Sequence, residues 1–277
     1  MNRFYLVILS IITITACRKD SSSFVNEPEN TGSKCLVTEL TSSDESNNAI
    51  NTYSRDSILT KTEKTDDGDV LPVEYLHIEN PKQFLYLHGS EMPESARTRI
   101  YLNADGNIDR EIAVTLNADG QTYTEDADQV NHFIYNEKKQ LIRADLNIEE
   151  ESTINFSYDN KGRITRIGIE EDDEEFCVFD GFLYDDEPKK DNLIVLDMFG
   201  SLTNQFIPSL RNAYITRYKM SFPEDMGTDF PIDISGDTVF EYDYIFSKGK
   251  LTRIKTTLTW SGYSEVADQR VKLNCIN

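Results

Sequence analysis

The sequence predicts an all-β protein built as one large, curved, antiparallel sheet of sequential hairpins, and a half-open barrel is one form such a sheet can take. Apolar and polar residues alternate in runs such as 239–246 (VFEYDYIF), and this alternation is typical of a half-buried strand. Asn-Ala-Asp-Gly occurs at 103–106 and again at 117–120, and short connections of this kind join antiparallel neighbours. At most one or two short helices are expected, because only 197–213 looks partly helical and Pro208 limits it.

The strand pattern recurs along most of the chain, and turn residues bound each copy. In chain order the predicted strands are 35–40, 70–78, 83–87, 98–102, 108–116, 132–135, 141–146, 154–158, 164–169, 175–184, 214–222, 240–246, 251–260 and 266–275. The spacing predicts a single all-β domain over residues 34–277.

Four of the predicted hairpins share one sequence frame after the turn: a turn residue, a polar residue, Ile or Leu, any residue, then Arg. The four Arg residues are Arg110, Arg143, Arg166 and Arg253. Three frames begin with Gly, which suits a turn that closes through a left-handed residue. Lys139 begins the fourth, so that turn must differ or carry strain. Ile164 and Ile167 fall on opposite parities of their strand, which predicts a β-bulge beside the turn.

The hairpin from Tyr158-Asp159 to Ile167 resembles the Tyr-Asp (YD-like) hairpin repeats of bacterial surface proteins, in which a Tyr-Asp pair, a short turn and Gly-Arg-Leu precede a polar-polar-Ile tail. Tyr135-Asn136 is a degenerate copy of the same pair. Together with 184–190 and 212–216, these segments resemble uncharacterised lipoproteins of the Bacteroidetes group. Most members of that group have no known function, so the resemblance implies a fold and no catalytic residues.

The N-terminus has the pattern of an export signal. Arg3 precedes an apolar run at 4–14, which is too short to span a bilayer as a helix and suits a secretory signal peptide. The motif Ile14-Thr15-Ala16-Cys17 resembles the lipobox of bacterial lipoproteins. That resemblance implies a signal peptide at 1–16, acylation of Cys17, and a lipid anchor with a flexible, polar tether at 17–33. The alternative is an ordinary signal peptide with a chance Cys.

An anchored chain of this kind belongs to the cell envelope, and the outer membrane is the expected membrane. The sequence leaves open whether the protein faces the periplasm or the cell surface. The chain carries 49 acidic and 28 basic residues, for a net charge of −21. This charge excludes nucleic acid as a partner, argues against docking on anionic lipid by charge, and fits a basic partner or divalent cations.

Two cysteines bound the predicted domain. Cys35 opens its first apolar segment and Cys275 closes its last. An exported chain meets an oxidising compartment and domain termini are often close together, so a Cys35–Cys275 disulfide is one hypothesis. Cys177 lies between Phe176 and Val178 and is expected to be a small buried apolar residue.

Two further features are candidate binding sites. The four frame Arg residues could hold an anionic glycan through bidentate hydrogen bonds, or could simply pair with acids on neighbouring strands. The turn residues Asn103, Asp105, Asn107 and Asp109 place oxygen atoms at alternate positions, as a calcium loop does, but Gly106 is in the fourth position rather than the sixth. Hairpin turns are the alternative there, and no cofactor other than calcium is expected.

These features favour a non-catalytic envelope module that binds a glycan, a peptide or a protein partner. Two alternatives remain open at this level. One is a hydrolase that acts through two carboxylates in a cleft. The other is a purely structural scaffold without a binding pocket.

Overall fold

The structure is a computed structural model. It describes the residues in the following ranges: 13–14, 34–42, 48–53, 58–64, 70–88, 96–148, 151–172, 174–186, 189, 191, 193–196, 198–199, 207–222 and 237–276. Side chains are described at 79–87 and over most of the chain from 98 to 273.

The described chain is almost entirely strand. Its strands are β1 (Thr13–Ile14), β2 (Lys34–Ser42), β3 (Asn48–Tyr53), β4 (Ile58–Lys64), β5 (Val70–Asn80), β6 (Gln83–His88), β7 (Ala96–Leu102), β8 (Ile108–Leu116), β9 (Tyr123–Tyr135), β10 (Leu141–Leu146), β11 (Ser152–Tyr158), β12 (Ile164–Glu171), β13 (Glu174–Tyr184), β14 (Leu193–Ile194), β15 (Ile215–Ser221), β16 (Thr238–Ser247), β17 (Lys250–Trp260) and β18 (Tyr263–Ile276). A short 3-10 helix at Pro208–Arg211 is the one helix in the described part.

The predicted fold class is confirmed: the protein is all-β, and its sheet is antiparallel and built of sequential hairpins. From β2 to β13 and from β15 to β18, each strand pairs with the next along the chain, and β13 pairs with β15. The last strand, β18, also pairs with β2, so the ladder returns to its start as a closed barrel. β1 and β14 form a separate two-stranded sheet. Among the described residues, no helix is both long enough and apolar enough to cross a membrane.

Because every neighbouring pair is antiparallel, the connections alternate between the two ends of the sheet. We call the end where β2 begins and β18 ends the near end. The connections between β7 and β8, β9 and β10, β11 and β12, and β16 and β17 lie there. The opposite end, where β8 joins β9 and β17 joins β18, is the far end.

One face of the sheet lines a shared apolar core, which we call the inner face. Strands from β6 to β18 contribute to it, and its least exposed large side chains include Ile100, Ile108, Leu141, Ile167 and Phe240. A second, small cluster of Leu85, Leu87 and Val114 lies apart from this core.

The connection between β13 and β15 is long and contributes to the same core. Val195, Leu196, Ile207 and Leu210 are buried in it. Phe199 of this connection contacts the ring of Phe133 edge-on, with centroids 5.2 Å apart. The chain therefore fills part of the space inside its own sheet with one of its connections.

Candidate functional sites

The frame hairpins owe their shape to a capped turn that three of them share. Asn103, Asn136 and Asp159 each begin a near-end turn. The side-chain Oδ1 atom of Asp159 accepts hydrogen bonds from the backbone N–H groups of Lys161 (2.8 Å) and Arg163 (2.9 Å). Asn103 and Asn136 do the same for the residues two and four positions later. The Asp of the Tyr-Asp pair is thus a turn cap.

Each of these turns passes through a left-handed residue in its fourth position. Gly106 has φ 80° and Gly162 also has φ 80°, whereas Lys139 adopts φ 60° despite its side chain. The turn at Lys139 therefore has the same shape as the two Gly turns, and Lys139 carries the backbone strain that the sequence allowed for. The hairpin at Gly249 is different, because Lys248 and Gly249 form a two-residue turn with φ 52° and 74°.

Replacing Lys139 with Gly should stabilise the protein by about 1 kcal/mol, since Gly adopts a left-handed backbone without the steric cost of a Cβ atom. Chemical denaturation of the purified protein measures the change. Lys138→Gly is the matched control: it removes a Lys from the same turn, at a position without positive φ, and should destabilise the protein slightly. Equal effects of the two substitutions would contradict strain at Lys139.

A β-bulge follows the turn in all four hairpins and sets the position of the Arg. On β12, Ile164 lies opposite Tyr158 and Arg166 lies opposite Ser157, which leaves Thr165 as the extra residue. The corresponding extra residues of β8, β10 and β17 are Asp109, Ile142 and Thr252. The bulge lets Ile164 and Ile167 both reach the core although their parities differ.

Tyrosines tie neighbouring strands together at the near end, where the turns do not connect them. The hydroxyl of Tyr158 on β11 donates to the carbonyl oxygen of Leu141, the first residue of β10, at 2.6 Å. The Tyr184 hydroxyl donates to the carbonyl oxygen of Ile164 at 2.6 Å, and the Tyr244 hydroxyl donates to the carbonyl oxygen of Ile215 at 2.7 Å. The Tyr of the Tyr-Asp pair therefore has a structural role at this end.

All four frame Arg residues form ion pairs with carboxylates. Arg143 Nε lies 2.5 Å from Asp145 Oδ1, and the hydrogen bond between them raises the pKa of Arg143. Arg166 pairs with Glu175 on the neighbouring strand. Arg253 binds both oxygens of Asp268, which raises the pKa of Arg253 and lowers that of Asp268.

Arg110 contacts both a carboxylate and an aromatic ring. Its Nη1 atom lies 3.1 Å from Asp109 Oδ2, and its guanidinium lies over the ring of Tyr101, 4.3 Å from the centroid. Exposed pairs of this kind contribute little to stability. The four Arg residues lie on β8, β10, β12 and β17, so strands separate them and they form no continuous row. Their placement favours paired surface charges over a shared anion site.

The candidate calcium residues have other roles in the structure. Asn103 caps the turn with its side-chain oxygen, and Asp105 pairs with Lys139 through a 2.6 Å contact between carboxylate and ammonium. Asn107 is buried, 3% exposed, and Asp109 faces Arg110. The described residues contain no group of three or more His, Cys, Asp or Glu that could hold a metal ion.

Cys35 and Cys275 lie directly opposite each other in the register between β2 and β18. Opposed residues of antiparallel strands have Cα atoms about 4.5–5.5 Å apart, and a disulfide accommodates that separation. Their side chains lie outside the described part, so the disulfide remains a prediction. Such a bond would link the two strands whose pairing closes the sheet. Cys177, by contrast, is a buried free thiol, and burial raises its pKa to about 12.

We expect the oxidised protein to yield a linked pair of peptides that contain Cys35 and Cys275, which peptide mass spectrometry without reductant detects. Reduction should lower the free energy of unfolding by about 2–5 kcal/mol. Cys177→Ala serves as the control and should leave the linked pair unchanged. Quantitative alkylation of both Cys35 and Cys275 without reductant would contradict the disulfide.

Cys17 lies outside the described residues, so its acylation remains a prediction.

No protein-family profile matches the chain, and no curated protein matches it. Among solved structures it is similar to a porin-like protein from Bacteroides vulgatus, with a TM-score of 0.51 and 16% identity over 86% of this chain and 98% of that one. A porin-like protein from Bacteroides uniformis gives a TM-score of 0.41 and 15% identity, over 92% of this chain and all of that one. The first likeness shows a shared β-sheet fold.

Proposed function

We propose that this protein is a non-catalytic, lipid-anchored module of the cell envelope, held by an acylated Cys17, that binds a glycan, peptide or protein partner with its outer surface. The observation that carries the outer-surface assignment is the filled core. Phe133, Phe199 and the buried Val195, Leu196, Ile207 and Leu210 occupy part of the space inside the sheet and leave less room there for an internal ligand.

Aromatic packing fills the core further along the sheet. Tyr218 stacks on Phe240 with ring centroids 4.6 Å apart, and it also stacks on Phe182 with ring centroids 5.5 Å apart. Rings packed against one another in this way leave their faces unavailable to a sugar. A glycan would therefore contact exposed residues at the surface rather than this aromatic cluster.

A purely structural scaffold is the second candidate, and the same filled core favours it. The two functions differ in whether any partner binds the intact protein. A hydrolase would need two carboxylates across a cleft. In the described part, the carboxylates beside the frame Arg residues are engaged in ion pairs, which gives that alternative no support.

Partner binding can be tested with the lipidated protein in detergent micelles on a glycan array, with and without calcium, and by crosslinking in intact envelopes. The binding function predicts at least one saturable glycan or a discrete crosslinked protein. A scaffold predicts neither, and the absence of both would contradict partner binding while leaving the lipid anchor untouched.

Replacing Cys17 with Ala should abolish metabolic labelling by a radioactive fatty acid and move the protein out of the membrane fraction, because stable anchoring needs covalently attached acyl chains. Fractionation and labelling of cells that express the full chain measure both effects. Cys177→Ala is the control and should retain label and location. Labelling that survives Cys17→Ala would contradict lipidation at this residue.

A further inference from the structure

The two ends of the sheet differ sharply in charge. At the far end, the exposed charged side chains in the connections and the nearby strand positions are mostly acidic: Asp119, Asp126, Asp128, Glu151, Asp172, Glu174, Asp237 and Glu265. Two Lys residues also lie towards this end, Lys64 as the last residue of β4 and the exposed Lys255 on β17. Within the described chain, these connections contain no Lys or Arg. In the sequence, the other residues that complete them, at 43–47, 65–69, 89–95, 149–150, 173 and 223–236, also contain no Lys or Arg.

The near end carries the Lys residues instead. Its turns and adjacent strand ends expose Lys82, Lys138, Lys139, Lys161, Lys248 and Lys250, together with the acids Glu79, Asp105, Glu137 and Asp186. Lys139 pairs with Asp105, whereas Lys138, Lys161 and Lys248 make no ion pair with a residue in the described part. The net charge of −21 is therefore not spread evenly: Lys and acidic residues are mixed at the near end, whereas acids predominate at the far end.

The same end also exposes apolar side chains. Most of them lie on the outer side of the sheet, whereas Phe246 has the parity of the core residues of β16 and contacts the buried Tyr214 from the edge of the core. The large apolar residues exposed there are Ile134 (42%), Ile142 (37%), Leu183 (54%), Ile245 (43%) and Phe246 (36%). They come from β9, β10, β13 and β16, each within a few residues of its near-end connection. We call these five residues the apolar arc. Exposed apolar residues next to Lys-bearing turns form the pattern of a surface that contacts the interface of an anionic bilayer.

The chain path brings this end to the membrane. β2 begins at the near end with Lys34, and residues 17–33 separate it from the anchor residue Cys17. Their polar composition predicts a flexible tether, and a chain of that length would have a root-mean-square span of about 23 Å. The tether therefore keeps the near end, rather than the far end, close to the lipid surface and raises its local concentration there.

We infer that the near end is the membrane-facing end, and that its Lys-bearing turns and apolar arc rest on the anionic headgroups of the bilayer that holds Cys17. This inference rests on the lipid anchor of the proposed function. The acidic far end then points away from the bilayer, because repulsion by anionic headgroups opposes the inverted orientation. The overall acidity argues against docking on anionic lipid, but it is concentrated at the far end, and the near end offers Lys138, Lys161 and Lys248 to the headgroups.

Tryptophan fluorescence distinguishes the two ends. The single Trp of the chain, Trp260, lies at the far end, so Trp260→Phe gives a background without Trp. Into it we would place Phe246→Trp at the near end or, as the matched control, Tyr263→Trp at the far end, where Tyr263 is 69% exposed. The lipidated proteins are reconstituted into phosphatidylcholine vesicles with or without phosphatidylglycerol, and brominated lipids serve as quenchers.

In vesicles that contain phosphatidylglycerol, we expect a blue shift and strong quenching for Phe246→Trp and neither for Tyr263→Trp. Combined Lys138→Glu, Lys161→Glu and Lys248→Glu substitutions, or added salt, should remove most of that quenching, because each Lys near an anionic surface contributes to binding. Quenching at Tyr263→Trp alone, or at neither position while the protein floats with the vesicles, would overturn the inference and leave the anchor intact. A protein that does not float with the vesicles would contradict the lipid anchor. In that case, unchanged Phe246→Trp emission in excess anionic vesicles would overturn the near-end contact as well.

Discussion

Phe240→Ala should lower the free energy of unfolding by about 3–5 kcal/mol, the largest single-residue effect we expect in this protein. Phe240 lies on β16, is 1% exposed, and stacks on Tyr218 with ring centroids 4.6 Å apart. Truncation would remove most of its apolar contacts and leave a cavity in the middle of the core. The midpoint of urea denaturation, followed by circular dichroism, measures the loss.

Phe246→Ala is the matched control, because it makes the same chemical change on the same strand. Phe246 is 36% exposed and contacts Tyr214 edge-on at 5.5 Å, so its truncation should cost about 1 kcal/mol or less. Similar losses at the two positions would contradict the assignment of Phe240 to the inner face and Phe246 to the near-end surface.

Alkaline pH should unfold the protein over a narrow interval between about pH 10 and pH 12, because its buried tyrosines cannot ionise in the folded state. Burial raises the pKa of Tyr218, Tyr242 and Tyr244 well above the ordinary value, and raises the pKa of Tyr158 to about 12. The unfolded chain ionises near pH 10. The stability that these groups contribute is therefore complete below pH 10 and is lost as pH rises from the unfolded pKa toward the folded pKa.

At pH 11, each fully buried tyrosine should cost about 1.4 kcal/mol, so Tyr218, Tyr242 and Tyr244 together cost about 4 kcal/mol. That loss is comparable to the total stability of many domains. Absorbance at the tyrosinate band and circular dichroism should therefore change together as pH rises.

Two Tyr→Phe variants test the origin of this alkaline transition. Tyr242→Phe should reduce the steepness of the pH dependence by one group, whereas Tyr263→Phe at the exposed end of β18 should leave it unchanged. Ionisation of all the tyrosines near pH 10, including the buried ones, with an unchanged circular dichroism spectrum, would contradict burial of these rings.

The sequence predicted strands best where apolar residues alternate regularly. β8 and β10 were predicted with the bounds that the structure shows, and the ends of most other predicted strands differ by a few residues. β3 and β4 were missed, and so was the first part of β9, residues 123–131. Residues 123–131 are rich in Asp and Glu and mostly exposed, so alternation cannot reveal them. Pairing with β8 forms the strand there.

For the candidate sites too, the sequence predicted local features but not the contacts between strands. The repeated frame predicted the left-handed turn position and the β-bulge, because both depend on neighbouring residues alone. It could not give the partners of the Arg residues: Glu175 and Asp268 lie on the next strand, and their contacts depend on register. The uneven charge of the two ends was also hidden, since the alternation of connections appears only once the strands are ordered.

The sequence by itself determined many of the strand-forming segments and the capped turns such as the one at Asp159, because each depends on a short stretch of chain. For the same reason it predicts a signal peptide at 1–16. Only the tertiary structure decided that β18 returns to β2 and places Cys35 opposite Cys275, and that Lys138, Lys161 and Lys248 share one end. It also decided that Val195, Leu196, Ile207 and Leu210 of the long connection pack into the core. These features depend on strand order and register, which arise from contacts between residues far apart in the chain. Alternation of apolar residues specifies which face of a strand is buried and does not specify its neighbour.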